Sequence, residues 1–175
     1  MKAILVVLLA AAPYFTQLKY DRTIDWNLPD PVKKRLDAAH FWDAYSLSDR
    51  VNPFYLRGDF DGDGKPDYAV LVTSKKSNKS AIVVCLSSRN SLDVLGAEGT
   101  KLRVGSLKAG YELTEFDWMD AWQVHSRLKL GQNELNPPGT FAQMAGEGLM
   151  VEKTESASAL IYWDGSRFRW YQLGD

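Results

Sequence analysis

The sequence is nearly devoid of cysteine. One thiol, Cys85, occurs in 175 residues, so no intramolecular disulfide and no Cys-rich metal site can form. Cys85 lies in the apolar run Ala81 to Leu86, where it is expected to act as a small buried hydrophobe rather than a nucleophile. An excess of charge of one sign is also missing. The 21 basic and 22 acidic side chains leave a formal net charge of −1, so no overall field favours nucleic acid or an anionic membrane. Histidine is scarce. His40 and His125 are the two present, and neither belongs to a His-Glu-x-x-His arrangement, so both are read as hydrogen-bonded structural residues. No Gly-x-Ser-x-Gly elbow, phosphate loop or dinucleotide fingerprint appears. No internal repeat and no low-complexity segment is visible.

Long hydrophobic runs are lacking too. The apolar stretch Ala3 to Ala12 is about half the length needed to span a bilayer. It follows Met1-Lys2 and ends in Ala10-Ala11-Ala12. A short positive start, an apolar middle and small residues at the end make residues 1–12 a secretory signal by pattern. Pro13 disfavours a cut directly after Ala12, and no cysteine nearby could carry a lipid. The expected product is an exported protein, periplasmic or extracellular, with one domain over residues 13–175 and no stable membrane anchor.

Hydrophobic content of 45 % and charged content of 25 % are those of an ordinary globular chain. Aromatic content of 12 %, with six tryptophans, leans towards β structure, because flat bulky rings pack well on pleated surfaces. The exception comes early. Asp30 is a candidate helix cap, Pro31 suits a first helical position, and Val32, Leu36, Ala39 and Trp42 recur at helical spacing. This helix is expected to end near Ser46 to Ser48. Strand patterns follow at Phe54 to Arg57, Tyr68 to Thr73, Ala81 to Leu86, Leu92 to Leu95, Leu149 to Glu155, Ala159 to Trp163 and Arg167 to Gln172. Residues 98–115 have no firm period, 116–125 fit either strand or helix, and 131–140 read as a loop. The expected fold is α+β: an N-terminal helix packed on a mainly antiparallel sheet.

The most informative segment is Gly58-Asp59-Phe60-Asp61-Gly62-Asp63-Gly64-Lys65-Pro66-Asp67. Its carboxylates fall at loop positions 1, 3, 5 and 9. Calcium takes six to eight oxygens at about 2.3–2.6 Å, and alternate residues of a tight loop can aim oxygens at one centre. Gly64 at position 6 permits the sharp reversal. The candidate ligands are Asp59, Asp61, Asp63, the carbonyl of Lys65, and Asp67, with water completing the shell. Without a cation, four such carboxylates would repel strongly. Magnesium fits less well, since it takes fewer protein oxygens and demands an octahedron.

An EF-hand needs a bidentate Glu at position 12 on an exiting helix; here that position is Val70, in a strand-like run. An EF-hand beginning with a strand exit resembles the Asp-x-Asp-x-Asp-Gly-x-x-Asp loops of the FG-GAP and VCBS repeat families, including integrin-type propellers. The resemblance covers Tyr55 to Val72. It implies a structural calcium ion held within a β-hairpin by Asp59, Asp61, Asp63, Lys65 and Asp67. A single copy excludes a propeller, which needs several blades.

Other features suggest less. Gly146-Glu147-Gly148 reads as a turn before a strand, or as an isolated acid. Trp26, Trp42, Trp118, Trp122, Trp163 and Trp170 would serve a core, or a glycan- or peptide-binding surface if exposed. Asn78-Lys79-Ser80 matches an N-glycosylation acceptor. The functional expectation is a monomeric, non-catalytic accessory or binding domain with a protein or glycan partner. The alternatives are a cell-wall-binding module and a hydrolase with dispersed acid and base.

Overall fold

A computed structural model describes residues 27–104, 111–131 and 143–174. In chain order, helix α1 (Asp30–Ala38) and a 3-10 turn (Phe41–Asp43) precede eleven strands. These are β1 (Tyr45–Leu47), β2 (Tyr55–Gly58), β3 (Asp67–Ser74), β4 (Ser80–Cys85), β5 (Asp93–Leu95) and β6 (Leu102–Val104). They continue with β7 (Tyr111–Leu113), β8 (Ala121–His125), β9 (Gly148–Lys153), β10 (Ala157–Trp163) and β11 (Phe168–Gly174).

The most apolar strands occupy the middle. β3 and β4 pair antiparallel, and β5 extends that sheet beyond β4. The opposite edge of β3 is shared end to end: β2 pairs with Asp67 to Val70 and β1 with Val72 to Ser74. A second antiparallel sheet runs in the order β11-β10-β9-β8, and β6 and β7 form a separate ribbon.

Alternation along β3 and β4 sends side chains to two cores. Ala69, Leu71, Ile82 and Val84 meet Leu149, Val151, Ile161, Trp163 and Trp170 of the second sheet. Val70, Val72, Ala81, Val83 and Cys85 instead meet Val32 and Leu36 of α1, with Phe41 and Tyr45. Burial on both faces explains why these two strands read as nearly unbroken apolar runs. Each fully buried Val, Leu or Ile contributes on the order of 2 kcal/mol. The outer face of the second sheet is covered around Leu160, Tyr162, Tyr171 and Met144. The fold is therefore α+β and mainly antiparallel, with neither a closed barrel nor a propeller among the described residues.

The helix departs from expectation at both ends. Its N-cap is Pro29, with Asp30 inside the first turn and no side-chain cap bond. It stops at Ala38 rather than near Ser46 to Ser48, because His40 turns left-handed at φ 50°. The apolar residues beyond that break are buried by other means. Phe41 stacks on Tyr45 at 4.6 Å, and Tyr45 opens β1 on the edge of β3. Arg35 then ties the helix to the sheet, donating to the carbonyls of Leu86 (2.7 Å), Arg89 (2.6 Å) and Ser91 (2.9 Å).

The unperiodic stretch 98–115 contains the short β6–β7 pair, and 116–125 resolves into a turn followed by β8. The expected signal segment 1–12, Trp26 and nearly all of the loop at 131–140 lie outside the described residues. No helix among the described residues is long and apolar enough to cross a membrane.

Candidate metal site

β2 and β3 carry the acidic loop as a hairpin closure, with Gly58 opposite Asp67 across the last rung of the ladder. The reversal uses two glycines, Gly62 at φ +76° and Gly64 at φ +82°. At Gly64 only the backbone conformation requires glycine, since nothing lies within 4 Å of an added Cβ. At Gly62 space is also short: a Cβ would stand 2.4 Å from the carbonyl oxygen of Ala145.

One carboxylate oxygen each from Asp59, Asp61 and Asp67 lies within 4.8 Å of the other two. Oxygens on opposite sides of one calcium ion stand about 4.6–5.2 Å apart, twice the usual Ca–O distance. Asp59, Asp61 and Asp67 could therefore form a metal-binding site.

Each member is held differently. Asp67 is fully buried. Its Oδ2 accepts the N–H groups of Phe60 (2.8 Å) and Asp61 (3.3 Å), and its Oδ1 accepts that of Ser87 (2.6 Å). Burial pushes its carboxyl above the usual range; the Ser87 N–H opposes this and the Asp61 charge adds to it. Asp59 accepts the Gly64 N–H on Oδ2 (3.0 Å). Its Oδ1 is buried and meets no donor among the described residues, an arrangement that costs free energy unless a cation or water supplies the partner. Asp61 accepts the Asp63 N–H (3.2 Å) and a short hydrogen bond from the Ser88 hydroxyl.

The fourth expected carboxylate is placed otherwise. The Asp63 carboxylate lies outside the group of three. It accepts the Lys65 N–H (2.8 Å) and the Ser87 hydroxyl (3.3 Å), with the Lys65 ammonium 3.5 Å away. The Lys65 N–H and ammonium, with Ser87, hold its carboxyl below the usual range. Lys65 itself sits at the exposed tip.

Sequence reasoning missed the surroundings. Ser87 and Ser88, just after β4, close one side of the loop. Glu147, just before β9, closes the other: its Oε2 accepts the Asp59 N–H (2.8 Å), and its N–H donates to the Asp59 carbonyl (2.7 Å). Gly146 is the visible trace of that close approach, since a Cβ there would stand 2.1 Å from the Asp59 carbonyl oxygen.

The other candidate residues lie elsewhere in the fold. Trp122, Trp163 and Trp170 are buried, and the indoles of Trp122 and Trp170 donate to Pro53 O and Gln172 Oε1. Trp118 sets its edge against Trp170 at 6.2 Å, and the Trp42 indole donates to Asp37 (2.8 Å). His40 is a left-handed turn residue, and His125 lies beside its neighbour's carbonyl, Ser126 O (2.9 Å). Burial pushes the Cys85 thiol up to about 11. Asn78 is exposed at the turn between β3 and β4. No protein-family model, curated protein or solved structure matches the chain.

Proposed function

We infer that this chain is an exported, non-catalytic domain stabilised by one structural calcium ion in the 59–67 loop. Asp59, Asp61 and Asp67 supply the first oxygens, the Lys65 carbonyl and Asp63 join them, and water completes the shell. The loop would then be a single FG-GAP/VCBS-type clasp on a two-sheet scaffold. Its role is accessory or binding, towards a protein or glycan partner.

The observation that carries this reading is the convergence of three carboxylate oxygens within 4.8 Å. Among the described residues no Lys, Arg or His forms an ion pair with any of the three. At an effective dielectric of about 20, each ionised pair at that distance repels by on the order of 3 kcal/mol. A divalent cation removes that repulsion and supplies the partner that Asp59 Oδ1 lacks. Calcium is preferred to magnesium because the loop offers many oxygens at loose spacing. Export rests on the Met1 to Ala12 pattern.

The test is thermal unfolding of the purified protein in EDTA, calcium or magnesium, repeated with Asp61→Ala. The expected result is a saturable rise in melting temperature with calcium, a smaller one with magnesium, and none in the variant. A melting temperature indifferent to calcium would overturn the reading.

A further inference from the structure

We propose that Glu147 is a positioning residue for the ion loop, and that ion binding is coupled to the seating of residues 145–147 against it. This rests on the calcium reading above.

Two hydrogen bonds join Glu147 to Asp59 across 88 residues of sequence. They are reciprocal: the side chain of Glu147 takes the N–H of Asp59, and the backbone of Glu147 serves its carbonyl. Both backbone groups of the first candidate ligand are thus fixed by one distant residue, which sets the direction of its Cα–Cβ bond. The Asp59 carboxylate has little else to orient it, with Oδ2 on the Gly64 N–H and Oδ1 unpartnered.

The contact is backbone against backbone. A Cβ on Gly146 would stand 2.1 Å from Asp59 O and 2.6 Å from Gly62 N, and one on Gly62 would stand 2.4 Å from Ala145 O. Real Cβ atoms do not approach so closely, so the seat exists only because both positions are glycine. The seat also belongs to the second sheet. Gly148 begins β9, and the Ala145 N–H donates to Trp163 O in β10 (2.9 Å). The ion loop therefore extends from the first sheet and is clamped by the second.

By linkage, whatever the strap contributes to ion affinity the ion returns as protection of the strap. Glu147 is not among the three convergent carboxylates, so its effect runs through Asp59. The conservative amide substitution, Glu147→Gln, separates this from simple charge. It retains an oxygen able to accept the Asp59 N–H but carries no charge.

Calcium affinity is measured by titration calorimetry on the wild-type protein and on Glu147→Ala and Glu147→Gln, with circular dichroism as a check on folding. The expected result is about a tenfold loss for Glu147→Ala and recovery to within about threefold for Glu147→Gln. Amide hydrogen exchange on the wild-type protein needs no variant to fold: calcium should slow exchange at 145–147 as well as at 59–67. Wild-type affinity in folded Glu147→Ala, or protection confined to 59–67, overturns the coupling and leaves the calcium reading standing. Equal losses in both variants assign the effect to charge and overturn the positioning role. Absence of calcium binding to the wild type removes both.

Discussion

Replacing Asp67 by alanine separates two contributions of one carboxylate. Asp67 organises the loop by accepting three backbone N–H groups, those of Phe60, Asp61 and Ser87. Phe60 is buried, whereas the other two donors lie in partly accessible surroundings. One buried donor at the full penalty for an unmade bond, and two partly hydrated donors at a fraction of it, give about 2–4 kcal/mol. Burial of the carboxylate is itself unfavourable, as its raised pKa records, and its removal pulls the cost towards the lower figure. Asp61 offers a contrast, because its hydrogen bonds to Asp63 and Ser88 are exposed, so Asp61→Ala should cost less than about 1 kcal/mol without the ion. The assay is urea unfolding followed by tryptophan fluorescence, in EDTA and in calcium. If the proposed calcium site forms, free calcium tenfold above the dissociation constant should stabilise the wild-type protein by about 1.4 kcal/mol. Both variants should lose that increment, but only Asp67→Ala should be markedly weakened in EDTA. An Asp67→Ala protein that loses less than about 1 kcal/mol in EDTA would refute the assignment of three stabilising bonds to this side chain.

Acid should reveal a second carboxylate. Burial raises the Asp117 pKa, but the Ser80 hydroxyl and N–H and the Lys79 ammonium outweigh that and lower it to about 2. A depressed folded value means stability present above the unfolded pKa, about 3.9, and lost as pH falls through the folded one. The wild-type urea midpoint in EDTA should therefore fall between about pH 4 and pH 2 more steeply than that of Asp117→Asn, and parallel curves would contradict the assignment. Cys85, buried between β4 and α1 with its thiol pushed up to about 11, should react with a thiol reagent at neutral pH only on unfolding. Labelling at the rate of a free thiol in the native protein would count against that burial.

Local features of the sequence translated well into structure, and features depending on distant partners did not. The 59–67 loop is legible because its nine residues carry both the carboxylates and the turn glycines. β3 and β4 are legible because burial on two faces leaves no ambiguity of composition. The end of α1 is different: Trp42 and Tyr45 continue a helical spacing, and only pairing with β3 shows that Tyr45 belongs to a strand. The roles of Ser87, Ser88 and Glu147 were hidden for the same reason. Nothing near Ser87 and Ser88 in sequence indicates that they meet Asp61 and Asp63, and Gly146 signals a close approach beside Glu147 without naming Asp59 as its partner. Asp63 is the converse: it fits the spacing pattern, yet its carboxylate is drawn to Lys65 and Ser87 at the tip.

The separation of 88 residues between Asp59 and Glu147 also imposes a schedule. A ribosome adding about 5–20 residues per second emits the acidic loop roughly 4–18 seconds before the segment that braces it. Throughout that interval Glu147 is not yet there to take the N–H and serve the carbonyl of Asp59, nor Ala145 to cover Gly62. The loop is written early and completed late, so its final geometry records that most of the chain has already been made.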